Sequence, residues 1–201
     1  MTAAEVMQLM ESVGAMRRGH FQLSSGLHSE AYCQCAQIFE HPEATAHVAR
    51  ALAEHFREAK PDVVAAPALG GIILGYELAR QLGARSVFVE RKPDGYFALR
   101  RFSLQPGERV LVAEDVLTTG GSTHETIEVI REAGGEVVGV AAVMDRSGGA
   151  IKLAVPLHAL LTQAMKTYNA ADCPLCAQSV PLDKPGSRPD VSALARPASS
   201  A

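Results

Sequence analysis

The sequence predicts an α/β fold: a central parallel sheet flanked by helices, preceded by a small N-terminal hood. Three observations carry that prediction. Short continuous apolar runs such as "DVVAAPA" and "RVLVA" have the pattern of strands covered on both faces. Segments with apolar residues at helical spacing lie between them. The resulting strand–helix–strand alternation is the pattern of parallel strands joined by helical crossovers.

Each element follows in order. Residues 3–16 place Val6, Leu9, Met10 and Val13 on one face, which predicts an amphipathic helix. "GHFQLSSGLHSEAYCQ" sets a Ser-Ser-Gly turn between apolar pieces and predicts a strand–turn–strand hood. Residues 42–59 repeat Ala44, Val48, Leu52 and Phe56 behind Pro42, a helix start. Strands are then expected at "DVVAAPA" and "SVFVE", with the helix "GGIILGYELARQLG" between them, ending at Gly83. "RKPDGYFALRRFSLQPGE" has no steady period and predicts a long loop or loose hairpin, a length that in compact domains tends to be functional. "RVLVAED", "STHETIEVIREAGG" and "EVVGVAAVMD" complete the alternation as strand, helix and strand. After Thr167 the chain becomes rich in Pro, Ser and Ala, and residues 193–201 are expected to fray. The whole is expected to form a single domain: helix and hood over 1–40, α/β core over 41–167 and tail over 168–201.

Composition narrows the function. The chain has 201 residues, 47% of them hydrophobic, which suits one compact core. A net charge of −3 leaves no basic surplus for general nucleic-acid binding. The N-terminus lacks a basic n-region and carries Glu5 and Glu11, unlike a signal peptide. The longest uncharged apolar stretch is too short to span a bilayer, so a cytoplasmic location is expected. Cys33, Cys35, Cys173 and Cys176 are too few for a disulfide framework. "CPLC" has zinc-knuckle spacing that Cys33 and Cys35 could complete, but the pairs are far apart in sequence. A reduced tail or a labile disulfide is the plainer reading. His20 and His28 are expected on the hood surface.

"VLVAEDVLTTGGST", residues 110–123, concentrates the chemistry. In an α/β sheet, ligands bind where strands end and helices begin. The strand delivers Glu114 and Asp115 to that edge. "TTGGS" adds hydroxyls and free N–H groups near the positive end of a helix dipole, a cradle for an anion such as phosphate. The carboxylates do the opposite work, accepting hydrogen bonds from vicinal hydroxyls or helping to hold a hydrated Mg²⁺. Together these describe a site for a ribose 5-phosphate. A Walker loop is excluded because no lysine follows Gly120 or Gly121, and the G-x-G-x-x-G spacing of a dinucleotide fold is absent. Adjacent acids at a strand end, taken alone, would mean only a capped and solvated turn.

This stretch resembles the phosphoribosyl pyrophosphate signature of the type I phosphoribosyltransferases. The resemblance implies their fold and the displacement of pyrophosphate from ribose C1 by a nitrogen nucleophile. It assigns the ribose 2- and 3-hydroxyls to Glu114 and Asp115, and the 5-phosphate to Thr118, Thr119, Gly120, Gly121 and Ser122. "GHFQLSSGLHSEAY" is similar to the hood of the orotate phosphoribosyltransferases, which implies base recognition by backbone groups near Ser25, Gly26 and Tyr32. "VMDRSGG" resembles that family's strand end and puts Arg146 at the pyrimidine. "VERKPDG" resembles the start of its mobile catalytic loop, with Arg91 and Lys92 as catalytic cations beside Asp115. "APALGGI" resembles its pyrophosphate loop, formed by Leu69, Gly70 and Gly71, with a cis peptide expected at Leu69–Gly70. "CPLC…KPGSR" resembles the tail of a bacterial and archaeal branch.

The implied activity is transfer of ribose 5-phosphate from phosphoribosyl pyrophosphate to orotate, giving orotidine 5-monophosphate. Mg²⁺ is implied as cofactor, carried by phosphoribosyl pyrophosphate with no direct protein ligand, and a homodimer as assembly. Where many orotate enzymes carry lysine, this chain has Ser24 and Gly70, and its mobile loop offers Arg100 and Arg101 in place of a further lysine and histidine. Arg91 and Lys92 could be an ordinary solvated pair, and Arg146 could simply pair with Asp145. A purine-using relative is disfavoured by the hood. A non-catalytic sensor of phosphoribosyl pyrophosphate would need a DNA- or RNA-binding element, which the sequence does not display.

Overall fold

A computed structural model describes residues 1–23 and 25–185. Ser24 and the predicted frayed end, 193–201, lie outside the described residues. The chain divides into two compact units: Met1–Arg17 with Cys33–Met165, and Arg18–Tyr32 with the chain from Lys166 onward.

The first unit opens with α1 (Ala3–Ser12), started by a capping box. The Thr2 N–H donates to Glu5 Oε2 at 2.7 Å and the Glu5 N–H to Thr2 Oγ1 at 3.3 Å, satisfying two otherwise orphan donors. The helix stops at Ser12, short of the expected residue 16, because Met16 already begins strand β1 (Met16–Gln22). From Arg18 the chain passes through the second unit, including strand β2 (His28–Cys33), and re-enters the first with the one-turn helix α2 (Ala36–Phe39). Then comes α3 (Pro42–Phe56), with Pro42 in its first turn where no N–H partner is lost.

The core alternates as predicted: β3 (Val63–Pro67), α4 (Ile72–Leu82), β4 (Arg85–Arg91), β6 (Arg109–Leu117), α5 (Gly121–Glu132) and β7 (Glu136–Asp145). Between β4 and β6 the long loop folds back as a short antiparallel strand, β5 (Phe97–Ala98), pairing Arg91 with Phe97. In this sheet, β8 (Leu157–Thr162), which pairs in parallel with β7, had no counterpart in the prediction. Pro156 and His158 interrupt its apolar run, so sequence pattern alone does not mark it. The six-stranded sheet has the order β5-β4-β3-β6-β7-β8.

That order positions the site. From β3 the chain crosses through α4 to β4 on one side, and from β6 it crosses through α5 to β7 on the other. The connections therefore diverge between the adjacent strands β3 and β6, the switch point where such sheets open a ligand crevice beyond the strand carboxyl ends. All five residues of β3 are buried, as expected of a strand covered on both faces. Ile130 of α5 packs into a cluster with Val63, Ala65, Val87, Leu104 and Val110. Burial of one such side chain contributes roughly 1.5–3 kcal/mol, so this face anchors α5 and the loop that precedes it.

In the second unit, β1 and β2 form a three-stranded sheet with β9 (Thr167–Tyr168). The turn between them is closed by Leu23 N–H donating to Leu27 O at 2.8 Å. The tail continues into the one-turn helix α6 (Pro174–Ala177). Among the described residues, no helix is long and apolar enough to cross a membrane.

Candidate active site

The carboxyl ends of β3 and β6 bring the two signature loops together. After β3 the chain turns through Ala68–Gly71 with a cis peptide at Ala68–Leu69, one bond earlier than the expected Leu69–Gly70. The glycines that suggested Leu69–Gly70 are required for close approach instead. A Cβ on Gly70 would lie 2.7 Å from Asp115 Oδ2, and one on Gly71 would lie 3.1 Å from the Ala113 carbonyl oxygen. Gly70 thus lets the backbone lie directly against the carboxylate, and a larger residue there must displace Asp115. Leu69 points outward and is 84% exposed.

Glu114 is 5% exposed. Ser122 Oγ and Thr123 Oγ1 donate to its Oε2 at 2.9 and 3.0 Å, tying strand end to helix start. Burial, and then the neighbouring Asp115 charge, push its pKa up to about 7 despite these two hydrogen bonds. Burial also raises Asp115, while a 2.8 Å hydrogen bond from the Val116 N–H pulls it back. Two carboxyls held side by side at reluctant ionisation are primed for hydroxyl donors or a cation.

Thr118 and Thr119 are exposed, and Gly120 adopts the left-handed conformation at φ 80° as the residue before α5. Glycine takes that conformation without steric cost. The α5 N-terminus has no side-chain cap and no acid in its first turn. The Gly121 N–H makes only a long 3.5 Å contact to Thr119 Oγ1. The first-turn N–H groups therefore face the loop with dipole and donors available to an anion. The Ser122 hydroxyl donates to Glu114, so the strand end and the start of α5 are held together beside the expected phosphate position.

Arg146 follows β7, and its N–H donates to Leu117 O at 2.9 Å, which fixes it at the same edge. It does not depend on Asp145. That carboxylate accepts from Ser147 N, Ser147 Oγ and Gly149 N at 2.8, 2.6 and 3.0 Å, shaping the turn. Arg146 Nε is buried without a hydrogen-bond partner among the described residues. An unpaired buried donor on a permanent cation is a standing cost that an anionic or carbonyl-bearing ligand would relieve.

Arg91 and Lys92, at the end of β4, are engaged locally. Arg91 pairs with Glu125 at 3.0 Å and lies over the Phe97 ring, while Lys92 pairs with Asp94 at 3.0 Å. Arg101 pairs with Glu90 at 3.1 Å. Ser25 and Gly26 sit exposed in the hairpin turn of the second unit, and Tyr32 packs its ring 5.7 Å from Phe21. His20 and His28, expected on the hood surface, are only 3% and 4% exposed. Their burial comes from partners contributed by the tail, a long-range pairing that neither histidine signals alone.

Comparison with known proteins agrees with this geometry. Residues 34–155 match the phosphoribosyl transferase domain. The orotate phosphoribosyltransferase of Desulforamulus reducens is 51% identical over 189 residues, covering 94% of this chain and 98% of that protein. That of Caldanaerobacter subterraneus subsp. tengcongensis is 50% identical, covering 94% and 99%. Among solved structures, the orotate phosphoribosyltransferase of Aeropyrum pernix superposes with a TM-score of 0.65 at 29% identity, covering 78% of this chain and 93% of that one. The Mycobacterium tuberculosis H37Rv enzyme in complex with inorganic phosphate gives 0.66 at 27%, covering 80% and 95%. The chain belongs to the orotate phosphoribosyltransferases, pentosyltransferases built on the phosphoribosyl transferase domain.

Proposed function

We propose that the crevice between β3 and β6 binds phosphoribosyl pyrophosphate and presents ribose C1 to N1 of orotate. The observation that carries this is the juxtaposition of Glu114 and Asp115 with the uncapped start of α5: hydroxyl acceptors beside phosphate donors. Asp115, held against Gly70, accepts from the ribose hydroxyls, and Glu114 shares that role while anchoring the loop. Thr118, Thr119, Gly120, Gly121 and Ser122 enclose the 5-phosphate. Leu69, Gly70 and Gly71 line the pyrophosphate side.

The donor set is hard carboxylate oxygen, which fits Mg²⁺ brought in with the pyrophosphate and ribose hydroxyls. The ion supplies charge dispersal on the leaving group when bound. As pyrophosphate departs, the ribose ring gains oxocarbenium character, and the two carboxylates oppose that positive charge. Arg146 aligns the pyrimidine, its unpaired Nε available to a ring carbonyl.

Arg91 and Lys92 act on the leaving pyrophosphate after exchanging their present partners. Both pairs are substantially solvent-exposed. Exposed pairs of this kind are worth about 0–1 kcal/mol, so a pyrophosphate can displace Glu125 and Asp94 at little cost. The assembly we propose is a twofold dimer in which this loop serves the partner's site. Its support is an uncovered apolar cluster beside the pyrophosphate loop: Leu69, Ile73 and Tyr76 at 84%, 51% and 64% exposure.

Purified protein supplied with phosphoribosyl pyrophosphate, Mg²⁺ and a panel of bases should release pyrophosphate with orotate. Release with hypoxanthine or adenine and none with orotate would overturn the assignment of the base.

A further inference from the structure

The second unit contains a group of side chains that the transferase reaction does not use. His20 on β1, His28 at the start of β2, and Cys173 and Cys176 around α6 direct one ligand atom each to a common point, all within 4.8 Å of one another. Cys173 Sγ lies 3.5 Å and Cys176 Sγ 3.7 Å from His20 Nε2, and Cys176 Sγ lies 3.3 Å from His28 Nδ1. The two imidazole nitrogens are 2.8 Å apart.

These four separations are close to those of a metal tetrahedron, while the two that involve Cys173 with His28 and with Cys176 lie within 4.8 Å and would close to about 3.6–3.8 Å around an ion. Zn–S bonds of ≈ 2.3 Å and Zn–N bonds of ≈ 2.0–2.1 Å at tetrahedral angles place N and S about 3.6 Å apart and the two nitrogens about 3.3 Å apart. The three N···S separations bracket the first value, and the N···N contact needs to open by only about half an ångström to reach the second. The outer shell is in place as well. His20 Nδ1 lies 2.8 Å from the Val180 carbonyl oxygen. That acceptor requires the proton on Nδ1 and leaves the Nε2 lone pair facing the cluster, the usual way a metal-ligating histidine is oriented.

The surroundings favour an ion over a mere hydrogen-bonded cluster. Among the described residues of this unit, the buried apolar side chains are Phe21 and Cys173, whereas His20, His28 and Ser29 are buried and polar. A unit this small and this poor in apolar interior has little to hold it together, the circumstance in which a structural metal substitutes for a core. The backbone already brings the ligands together. Asp183 N–H donates to His20 O and Gln22 N–H to Asp183 O, while β9 pairs with His28 and Ser29. Cys33 and Cys35, which the sequence offered only as a possible completion of the CPLC pair, belong to the first unit, their sulfurs 3.9 Å from each other; the plainer reading there, a reduced tail or a labile disulfide, is the alternative that this cluster argues against.

We propose that His20, His28, Cys173 and Cys176 bind a structural zinc ion that fastens the C-terminal tail to the N-terminal hairpin. Two thiolates and two imidazoles in a closed tetrahedron suit Zn²⁺ and leave no open position for catalysis. None of its four ligands is among the residues proposed to hold phosphoribosyl pyrophosphate and its Mg²⁺.

The full chain, produced with zinc available and purified without chelator, should contain about one zinc per chain by elemental analysis. Cys176→Ser and His28→Asn should each lower that content at least tenfold, while Cys33→Ser should retain it. Co²⁺ added to metal-stripped protein should produce the visible absorption of tetrahedral cobalt with a sulfur-to-metal charge-transfer band, absent in Cys176→Ser. Because the cobalt reading is made on the unmodified sequence, it stands even if a variant fails to fold. Protein free of zinc that gives no tetrahedral cobalt spectrum would overturn the proposal. So would zinc that persists in Cys176→Ser, or a Cys173–Cys176 disulfide in freshly prepared metal-free protein.

Discussion

Replacing Glu114 by glutamine separates stability from activity, because the two should move in opposite directions. Burial and Asp115 push Glu114 from 4.5 to about 7 in the folded protein. In the unfolded chain the group releases its proton near its ordinary value, so between those two pH values the folded state holds a proton that the unfolded state has lost. The associated stability is fully present below pH 4.5, declines as pH rises, and is gone above about 7. A gap of about 2.5 pH units at 1.36 kcal/mol each corresponds to about 3 kcal/mol. Glutamine has no such proton, and its carbonyl oxygen can still accept from Ser122 and Thr123. Relative to the parent, the variant should therefore gain up to about 3 kcal/mol between pH 4.5 and 8, or roughly 6–12 °C in Tm at 2–4 °C per kcal/mol. Losing a charged acceptor should meanwhile cost about 1.5–3 kcal/mol of ribose binding, a fall of roughly 10–100-fold in kcat/KM for phosphoribosyl pyrophosphate. Denaturant titrations across pH 4.5–8.5 with matched kinetics make the comparison. Stability–pH curves that run parallel for the two proteins would refute the burial argument.

Gly70→Ala should force Asp115 aside, since the new methyl would lie 2.7 Å from Oδ2; displacement of this order lowers kcat/KM for phosphoribosyl pyrophosphate by roughly 10–100-fold. Thermal melting should barely move at so exposed a loop, so unchanged kinetics would count against the close approach. Arg146→Ala should cost roughly 10–100-fold in kcat/KM for orotate while sparing phosphoribosyl pyrophosphate; because Asp145 is held by Ser147 and Gly149, little stability should be lost. Equal loss for both substrates would assign Arg146 to another role. Mixing an Asp115→Asn variant with an Arg91→Ala/Lys92→Ala double variant should restore about a quarter of the activity through hybrid dimers with one intact site. A monomer by sedimentation at assay concentration would rule that arrangement out.

Local pattern determined the parts whose causes are local. The periodicity of residues 42–56, the apolar run of β3 and the strand–turn–helix of 110–132 are each written in adjacent residues. The carboxylate pair and the phosphate cradle could therefore be located from adjacent residues. The start of β1, the existence of β8 and the cis bond at Ala68–Leu69 depend on neighbours distant in sequence, and pattern misplaced or missed them.

Tertiary structure alone decided how the site is held. Gly70 and Asp115 are separated by a helix and two strands, yet the backbone of one occupies the space a side chain would need beside the other. Arg146 could be read as a partner of Asp145 until the fold turned that acid toward Ser147 and Gly149. His20 and Cys173 stand 153 residues apart with sulfur and nitrogen 3.5 Å from each other. Spacing along a chain encodes which groups can share a helix face or a strand end. Which groups from opposite ends of the chain meet is set by how the hairpin and tail pair, and that is a property of the packed fold.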